Sequence, residues 1–252
     1  MNRFKNKTVV VTGAGSGIGA AAARRFGEEG AHVVLVGRTK DKLDAVAKDI
    51  DGALVVAADV GTEDGARAVT EQAVEAFGGI DILVNNAGVA EPGRMGEIDR
   101  EDWDKTIRIN LTGVYLMTEA AWPHLKKSGG NVVMTSSVSG MGGDWGMLAY
   151  NASKGGVTNF VKALALEADQ SGVRVNAVAP SATQTDMASG LLENDTLYGK
   201  FKERIPLGRA AHPEEVGDVI AFLASHDARL VNGVIVPVDG GLSASNGQPP
   251  LG

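Results

Sequence analysis

The sequence predicts an α/β fold: one doubly wound parallel sheet of about seven strands with helices on both faces. Three observations carry this. Short apolar runs alternate with longer amphipathic stretches from residue 8 to residue 238. The runs are nearly continuous Val, Ile and Leu, the pattern of strands buried on both faces. The connections are short, and parallel strands joined this way need right-handed crossovers.

The strands fall at 8–12, 32–36, 53–57, 80–85, 131–135, 173–179 and 234–238. The first, Thr8-Val9-Val10-Val11-Thr12, runs into a glycine-rich turn and a helix at 18–29. A helix at 41–50 follows the second strand, and one at 63–77 follows the third. Thr62 ahead of Glu63 and Asp64 marks that start, with a hydroxyl cap and an acidic first turn. Long helical stretches at 100–125 and 149–170 flank the fifth strand. Pro213 with Glu214 and Glu215 opens the last helix, 213–225, because a first turn does not use the donor that proline lacks. The longest irregular region, about 180–212, has the length and place of a lid. The tail, 240–252, is rich in Gly, Ser and Pro, and reads as frayed or packed against a neighbouring subunit. No repeat or linker interrupts, so 1–252 reads as one domain.

Composition narrows the function. A chain of 252 residues buries a sizeable core without disulfide or metal staples. Lys and Arg total 24 against 31 Asp and Glu, a net charge of −7, which argues against nucleic acid and anionic membranes as partners. Cysteine is absent, which removes disulfides, thiolate metal sites and cysteine nucleophiles. The four histidines show no ligand spacing, so no metal is expected. Residues 1–7 are charged with no apolar segment behind them, and no run of 18 apolar residues occurs. The expectation is a cytoplasmic protein.

The first turn reads Gly13-Ala14-Gly15-Ser16-Gly17-Ile18-Gly19. Glycine there permits a tight turn, close backbone approach to a pyrophosphate, and close helix–strand packing. The G-x-G-x-x-G spacing fails at Ile18, whereas G-x-x-x-G-x-G fits Gly13, Gly17 and Gly19. The second strand ends in Gly37-Arg38-Thr39, where an acidic residue would bind the ribose 2′-hydroxyl of NAD. Arg38 offers a forked contact to a 2′-phosphate and Thr39 adds a hydroxyl, so local charge favours NADP(H), with NAD(H) left open. Asp59 either accepts from an adenine amino group or simply ends its strand.

Tyr150 and Lys154 stand four apart in a helical stretch and share a face. A phenol ionises near pH 10, and a neighbouring ammonium favours phenolate. Ser136 and Ser137 lie at the carboxyl end of the fifth strand, the edge where open α/β sheets bind ligands. Asn110 sits in the stretch 100–125.

Together these motifs resemble the short-chain dehydrogenase/reductase family over about residues 5 to 242. They are the glycine motif at 12–19, Asp59-Val60, Asn85-Asn86-Ala87-Gly88, Asn110, Ser137, Tyr150-x-x-x-Lys154, and Pro180 to Thr185. The resemblance implies a Rossmann-type sheet and hydride exchange between NAD(P)(H) and a ketone or secondary alcohol. It implies that Tyr150 is the general acid/base, that Ser137 polarises the carbonyl, and that Lys154 bonds the nicotinamide ribose and depresses Tyr150. Asn110 would hold a water in a proton relay to Lys154. Asn86, Ala87 and Gly88 would pack by the adenosine ribose, and Thr185 would contact the nicotinamide amide. Pro180, Ser181 and Thr183 complete the cofactor side. Family members usually read Pro-Gly where this chain has Pro180-Ser181; serine takes positive φ less readily, so that backbone is expected to differ.

A narrower resemblance joins the loop Ser137-Val138-Ser139-Gly140-Met141-Gly142-Gly143-Asp144-Trp145-Gly146 and the chain's ending to the acetoin/diacetyl reductases, also called meso-2,3-butanediol dehydrogenases. It implies a small diketone, hydroxyketone or vicinal diol as substrate, with Ser139, Asp144 and Trp145 at the pocket. Two other readings stand beside it. One is a 3-oxoacyl-(acyl-carrier-protein) reductase, which needs a basic patch near Arg100, Lys105, Arg108, Lys126 and Lys127. The other is a non-catalytic dinucleotide-binding sensor, which the retained Tyr150 and Lys154 argue against. The resemblance also implies a homo-oligomer, dimer or tetramer. Val114, Leu116, Met117, Val157, Phe160, Val161 and Leu164 serve either its two-fold interface or the chain's own core.

Overall fold

The computed structural model describes residues 2–247. Its strands are β1 (Thr8–Thr12), β2 (His32–Gly37), β3 (Leu54–Ala57), β4 (Ile82–Asn85), β5 (Asn131–Thr135), β6 (Arg174–Pro180) and β7 (Ile235–Val238). They form one sheet in the order β3-β2-β1-β4-β5-β6-β7, with every pairing parallel. The order reverses between β1 and β4, which opens a crevice at their carboxyl ends.

Successive residues of each strand serve opposite faces. Val10, Val34, Leu83 and Val132 join one core with α3 (Glu63–Phe77), α5 (Gly113–Ser128) and α6 (Leu148–Glu167). Val9, Val11, Leu35 and Val84 join the other with α1 (Gly17–Glu28), α2 (Lys40–Ala47) and α9 (Pro213–Ala224). Val114, Leu116, Met117, Val157, Val161 and Leu164 are buried in the first core, with Phe160 packed against it, so those apolar faces cover this chain's own sheet.

Caps set the helix starts. Thr62 accepts the Gly65 N–H at 3.1 Å. The Glu215 carboxylate accepts the His212 N–H at 2.8 Å. The stretch read as one helix at 100–125 is not uniform. It is α4 (Arg100–Ile107), a π-helical turn at Arg108–Thr112, then α5. Apolar periodicity does not register the one extra residue of a π turn, which is why the sequence hides it. The region 181–212 carries α7 (Ser189–Leu192) and α8 (Asp195–Arg204). It is tied down by a bridge of Thr183 to Ala211 and by the Tyr198 hydroxyl, which accepts the Ala210 N–H at 3.1 Å. Ser181 does not need a left-handed backbone: among the described non-glycine residues only Asn6 and Asp169 have positive φ. The tail residues 248–252 lie outside the described residues, so their proposed contact with a neighbour is not addressed.

An ionic knot fastens the amino terminus to α1. Arg3 reaches Glu29 through two bonds of 2.5 and 2.6 Å, and Arg25 adds a third at 2.7 Å. The Glu29 side chain is only 5% exposed. The Arg3 guanidinium outweighs burial and, with Arg25, holds its carboxyl at about 2. A lowered carboxylate stabilises the fold above its unfolded value near 4.5, and that stabilisation drains away as pH falls toward 2. Glu29→Gln is expected to cost about 3 kcal/mol at pH 7 and less than half of that at pH 3. Urea midpoints at both pH values check this; an equal loss at both would assign the effect to packing.

Candidate active site

The turn after β1 requires its glycines for physical reasons. Gly13 and Gly17 have φ of +66° and +52°. A Cβ on Gly13 would stand 2.9 Å from the Ala87 Cα, and one on Gly17 would stand 2.8 Å from the Thr185 Cγ2. One on Gly19 would run into the Gly13 carbonyl oxygen. Ser16 is the exposed N-cap of α1, and its own hydroxyl caps nothing. The first turn of α1 carries no acidic residue, whereas α3, α4 and α9 each carry two. Its free N–H groups and positive helix end therefore stay available to an anion. Ile18 packs into the core beneath.

A cleft of about 220 Å³ leads away from this turn, lined by Gly13, Ser16, Arg38, Asp59, Ala87 and Gly88 among others. Arg38 and Thr39 leave the end of β2 along it. Arg38 makes no hydrogen bond or ion pair among the described residues. Asp59 is more engaged than the sequence indicated: it accepts Arg108 Nη1 and the Gly61 N–H, each at 2.9 Å. Burial works to raise its carboxyl, but those two partners outweigh it and lower the pKa. Val60 beside it lines the same cleft. Asn86 braces the crevice: Nδ2 donates to the Thr12 carbonyl at 3.1 Å and Oδ1 accepts the Thr135 hydroxyl at 3.1 Å. Dinucleotide phosphates and adenosine fit this arrangement of glycines, helix end and unpaired guanidinium.

The reacting edge lies at the end of β5. Ser136 turns inward and bonds the Lys154 carbonyl at 3.2 Å and Thr158 at 2.7 Å. Ser137 faces the other way, with its hydroxyl 3.1 Å from the Ser139 hydroxyl, and it works to lower the Tyr150 phenol. The alternation of an extended chain separates the two serines' roles. Tyr150 and Lys154 sit one turn apart on α6, with Nζ 5.7 Å from the phenol ring centre. Lys154 is buried and donates to the Thr135 carbonyl at 2.7 Å. Burial lowers its ammonium to about 8.

Tyr150 departs from expectation. Burial pushes its phenol above the ordinary value and the Asp144 carboxylate adds to the rise, while Ser137 pulls the other way. The lysine expected to depress it is engaged with Thr135 instead, and the charge it lends is itself weakened by burial.

Asn110 lies in the π turn, fully buried. Its side chain makes three bonds: Oδ1 accepts the Val89 N–H at 2.8 Å, and Nδ2 donates to the Val89 carbonyl at 2.8 Å and the Ser153 hydroxyl at 3.1 Å. It therefore acts as a clamp on the strand-end backbone, and its amide has no hydrogen left for a water. Gly88 is pressed close; a Cβ there would meet Asn110 Oδ1 at 3.3 Å and Lys154 Nζ at 3.6 Å.

On the lid side, the Pro180 carbonyl accepts the Ser137 hydroxyl at 3.4 Å. Ser181 bonds the Asp239 carbonyl at 3.4 Å, and Thr183 bonds the Ser181 carbonyl at 3.0 Å. Thr185 overlies Gly17. In the outer loop, Ser139 donates to Asp144. Trp145, expected at the pocket wall, is 96% exposed. The paired loops at Gly93 and Gly146–Met147 and the left-handed Gly146 hold this segment outward. The sequence reading missed Thr12, Val89, Thr135 and Ser153. Their part is played by backbone or by a hydroxyl whose partner is distant in sequence, and no local pattern marks them.

With this geometry the chain belongs to the short-chain dehydrogenase/reductase family, and it is an oxidoreductase of nicotinamide dinucleotides. A family model described as Enoyl-(Acyl carrier protein) reductase matches residues 13–243. The chain is 47% identical to meso-2,3-butanediol dehydrogenase of Serratia marcescens over 251 residues, 99% of each chain. Its fold superposes on the crystal structure of levodione reductase with a TM-score of 0.92 at 35% identity, covering 96% of this chain and 100% of that one. On the 3-ketoacyl-(acyl-carrier-protein) reductase of Brucella melitensis complexed with NADH, the TM-score is 0.88 at 37% identity, with 95% and 99% covered.

Proposed function

We propose that this enzyme interconverts small ketones and secondary alcohols, with vicinal diketones, hydroxyketones and diols as its substrate class. The observation that carries it is Tyr150 one helical turn from a buried Lys154, Nζ 5.7 Å from the phenol ring centre and held on the Thr135 carbonyl at the carboxyl end of β5. The substrate class is supported by the near full-length similarity to a butanediol dehydrogenase.

A nicotinamide dinucleotide supplies hydride chemistry when bound. The chain supplies orientation and proton handling. Ser137 donates to the substrate oxygen and fixes the carbonyl carbon toward the cofactor side. Tyr150 gives its proton to that oxygen in reduction and takes it back in oxidation. Lys154, held on the Thr135 carbonyl at 2.7 Å, would bond the ribose. Gly13, Ser16, Gly17, Ile18 and Gly19 present the helix end to the pyrophosphate. Asp59, Val60, Asn86, Ala87 and Gly88 bound the adenosine half, and Pro180, Ser181, Thr183 and Thr185 close the nicotinamide half.

Arg38 makes NADP(H) the preferred cofactor in this reading. Arg38→Ala is expected to lower kcat/KM for NADPH about 10- to 100-fold and leave NADH nearly unchanged, because a charge-assisted bond to the 2′-phosphate is worth about 1.5–3 kcal/mol. Initial rates with diacetyl, run in parallel with NADPH and NADH, measure it. Equal losses with both cofactors would return Arg38 to a general surface role.

The acyl-carrier reading is less well supported. Arg100, Lys105 and Arg108 pair with Asp104, Glu91 and Asp59, so the required patch is largely neutralised. No helix among the described residues is long and apolar enough to cross a membrane. We read the enzyme as a cytoplasmic homo-oligomer. Sedimentation equilibrium tests the assembly.

A further inference from the structure

Among the described residues, three charged side chains line the adenosine cleft: Arg38, Lys42 and Asp59. Lys42 is taken up by the Asp186 carboxylate, with Nζ at 3.0 Å. That leaves one guanidinium and one carboxylate at adjoining strand ends. In the register of β2 and β3, Gly37 stands opposite Ala57, and the Ala58 N–H donates to the Gly37 carbonyl at 2.9 Å. Arg38 and Asp59 are the first charged residues past these paired ends. Opposite charges so placed attract, and an Arg38 bound to Asp59 would meet a 2′-phosphate as part of a neutral couple. The structure avoids that pair.

Asp59 is engaged on both oxygens. Oδ1 accepts the Gly61 N–H and Oδ2 accepts Arg108 Nη1, each at 2.9 Å. The second partner is not local. Arg108 opens the π turn at Arg108–Thr112, past β4, and reaches the end of β3 over a separation of 49 residues. Its base is fixed by its own turn: Ile109 lines the cleft, and Asn110 is clamped to Val89 by two bonds of 2.8 Å. Its head lies over Gly61, where a Cβ would run into Nη1.

We propose that Arg108 sets cofactor specificity through Asp59: it takes up the one carboxylate of the cleft, so that Arg38 faces the ribose as an uncompensated cation and the site favours a 2′-phosphate. This rests on the reading of Arg38 as the 2′-phosphate ligand. With Arg108 in place, the group of Arg38, Asp59 and Arg108 is cationic. Without it, Arg38 and Asp59 cancel. NADPH differs from NADH only by the 2′-phosphate, so the effect falls on the ratio between the two cofactors and not on the chemistry at Tyr150. Arg108 acts here as a positioning residue and touches no reacting atom.

The test uses the full chain with diacetyl at fixed ionic strength. The readout is the ratio of kcat/KM with NADPH to kcat/KM with NADH. Arg108→Met keeps an apolar stem over Gly61 and removes the charge; the ratio should fall about 10-fold, with the loss in KM for NADPH. Arg108→Lys should recover most of the ratio, because the contact is a single bond and not a fork. Asp59→Asn keeps an oxygen for the Gly61 N–H and removes the negative charge, so the ratio should rise about 3- to 10-fold. A folding defect cannot produce that gain, so Asp59→Asn decides the matter even where Arg108→Met is unstable. Arg108→Met combined with Asp59→Asn should return the ratio close to the parent's, because Arg38 again stands without a carboxylate beside it. Equal losses with both cofactors in Arg108→Met would make the ion pair a structural brace and overturn the proposal. So would an unchanged or lower ratio in Asp59→Asn. Arg38→Ala run alongside separates the layers. If it lowers NADPH selectively and Arg108→Met does not, only the role of Arg108 fails; if it lowers both cofactors equally, the 2′-phosphate reading fails and this one with it.

Discussion

Tyr150→Phe should abolish turnover while sparing the cofactor. The change removes one oxygen and leaves the ring in place between Ser137 and Lys154. Proton transfer by a positioned side chain contributes about 100- to 10,000-fold. Affinity for NADPH, measured by calorimetry, should stay within about 2-fold, because the phenol stands at the reacting end of the cleft, far from the pyrophosphate turn and Arg38. The same pair of measurements tests the non-catalytic reading: a parent that binds cofactor but reduces no carbonyl is a sensor. In the active parent, reduction needs the phenol and oxidation needs the phenolate, so rising pH should slow the first and speed the second.

Gly19→Ala should act through geometry instead. A Cβ there meets the Gly13 carbonyl oxygen and comes within 2.5 Å of Asn86 Nδ2. The first contact is backbone and has no rotamer to yield. Either α1 moves off β1 or the turn opens, and both displace the N–H groups that face the pyrophosphate. Overpacking of this kind costs about 1–3 kcal/mol of stability. The larger effect is expected on cofactor affinity, a loss of about 100-fold or more, since several backbone bonds depend on one carbonyl's position. Thermal melts with and without NADPH read both: the ligand-free midpoint should fall by a few degrees and the cofactor-induced rise should vanish. A variant that retained the full rise would show that the turn tolerates the methyl.

Much of this molecule was legible in one dimension. Burial on both faces wrote the strands as unbroken Val and Ile runs, so all seven were found within two residues of their ends. Gly13, Gly17 and Gly19 were legible because close approach permits no substitute at those positions. The Tyr150 and Lys154 pair was legible because four residues make one helical turn. Other features were not. The π turn at Arg108–Thr112 interrupts a stretch whose apolar period barely changes. The lid helices are polar and short, with no buried face to impose a pattern. Trp145 reads as a pocket wall by its size, yet the turn at Gly146 leaves it in solvent.

By itself the sequence determined the order of elements, the strand ends that carry chemistry, and the residue types placed there. These follow from local rules, because periodicity, turn glycines and helix spacing act over a few residues. Only the tertiary structure decided how those residues are engaged. It turned Ser136 into the core and Ser137 toward Ser139, set Lys154 on the Thr135 carbonyl, spent the Asn110 amide on Val89 and Ser153, left Arg38 without a hydrogen bond or ion pair among the described residues, and joined Asp144 to Ser139. Each of these is a choice of hydrogen-bond partner among groups brought together by packing. A donor's residue type says that it must be satisfied and does not say by what.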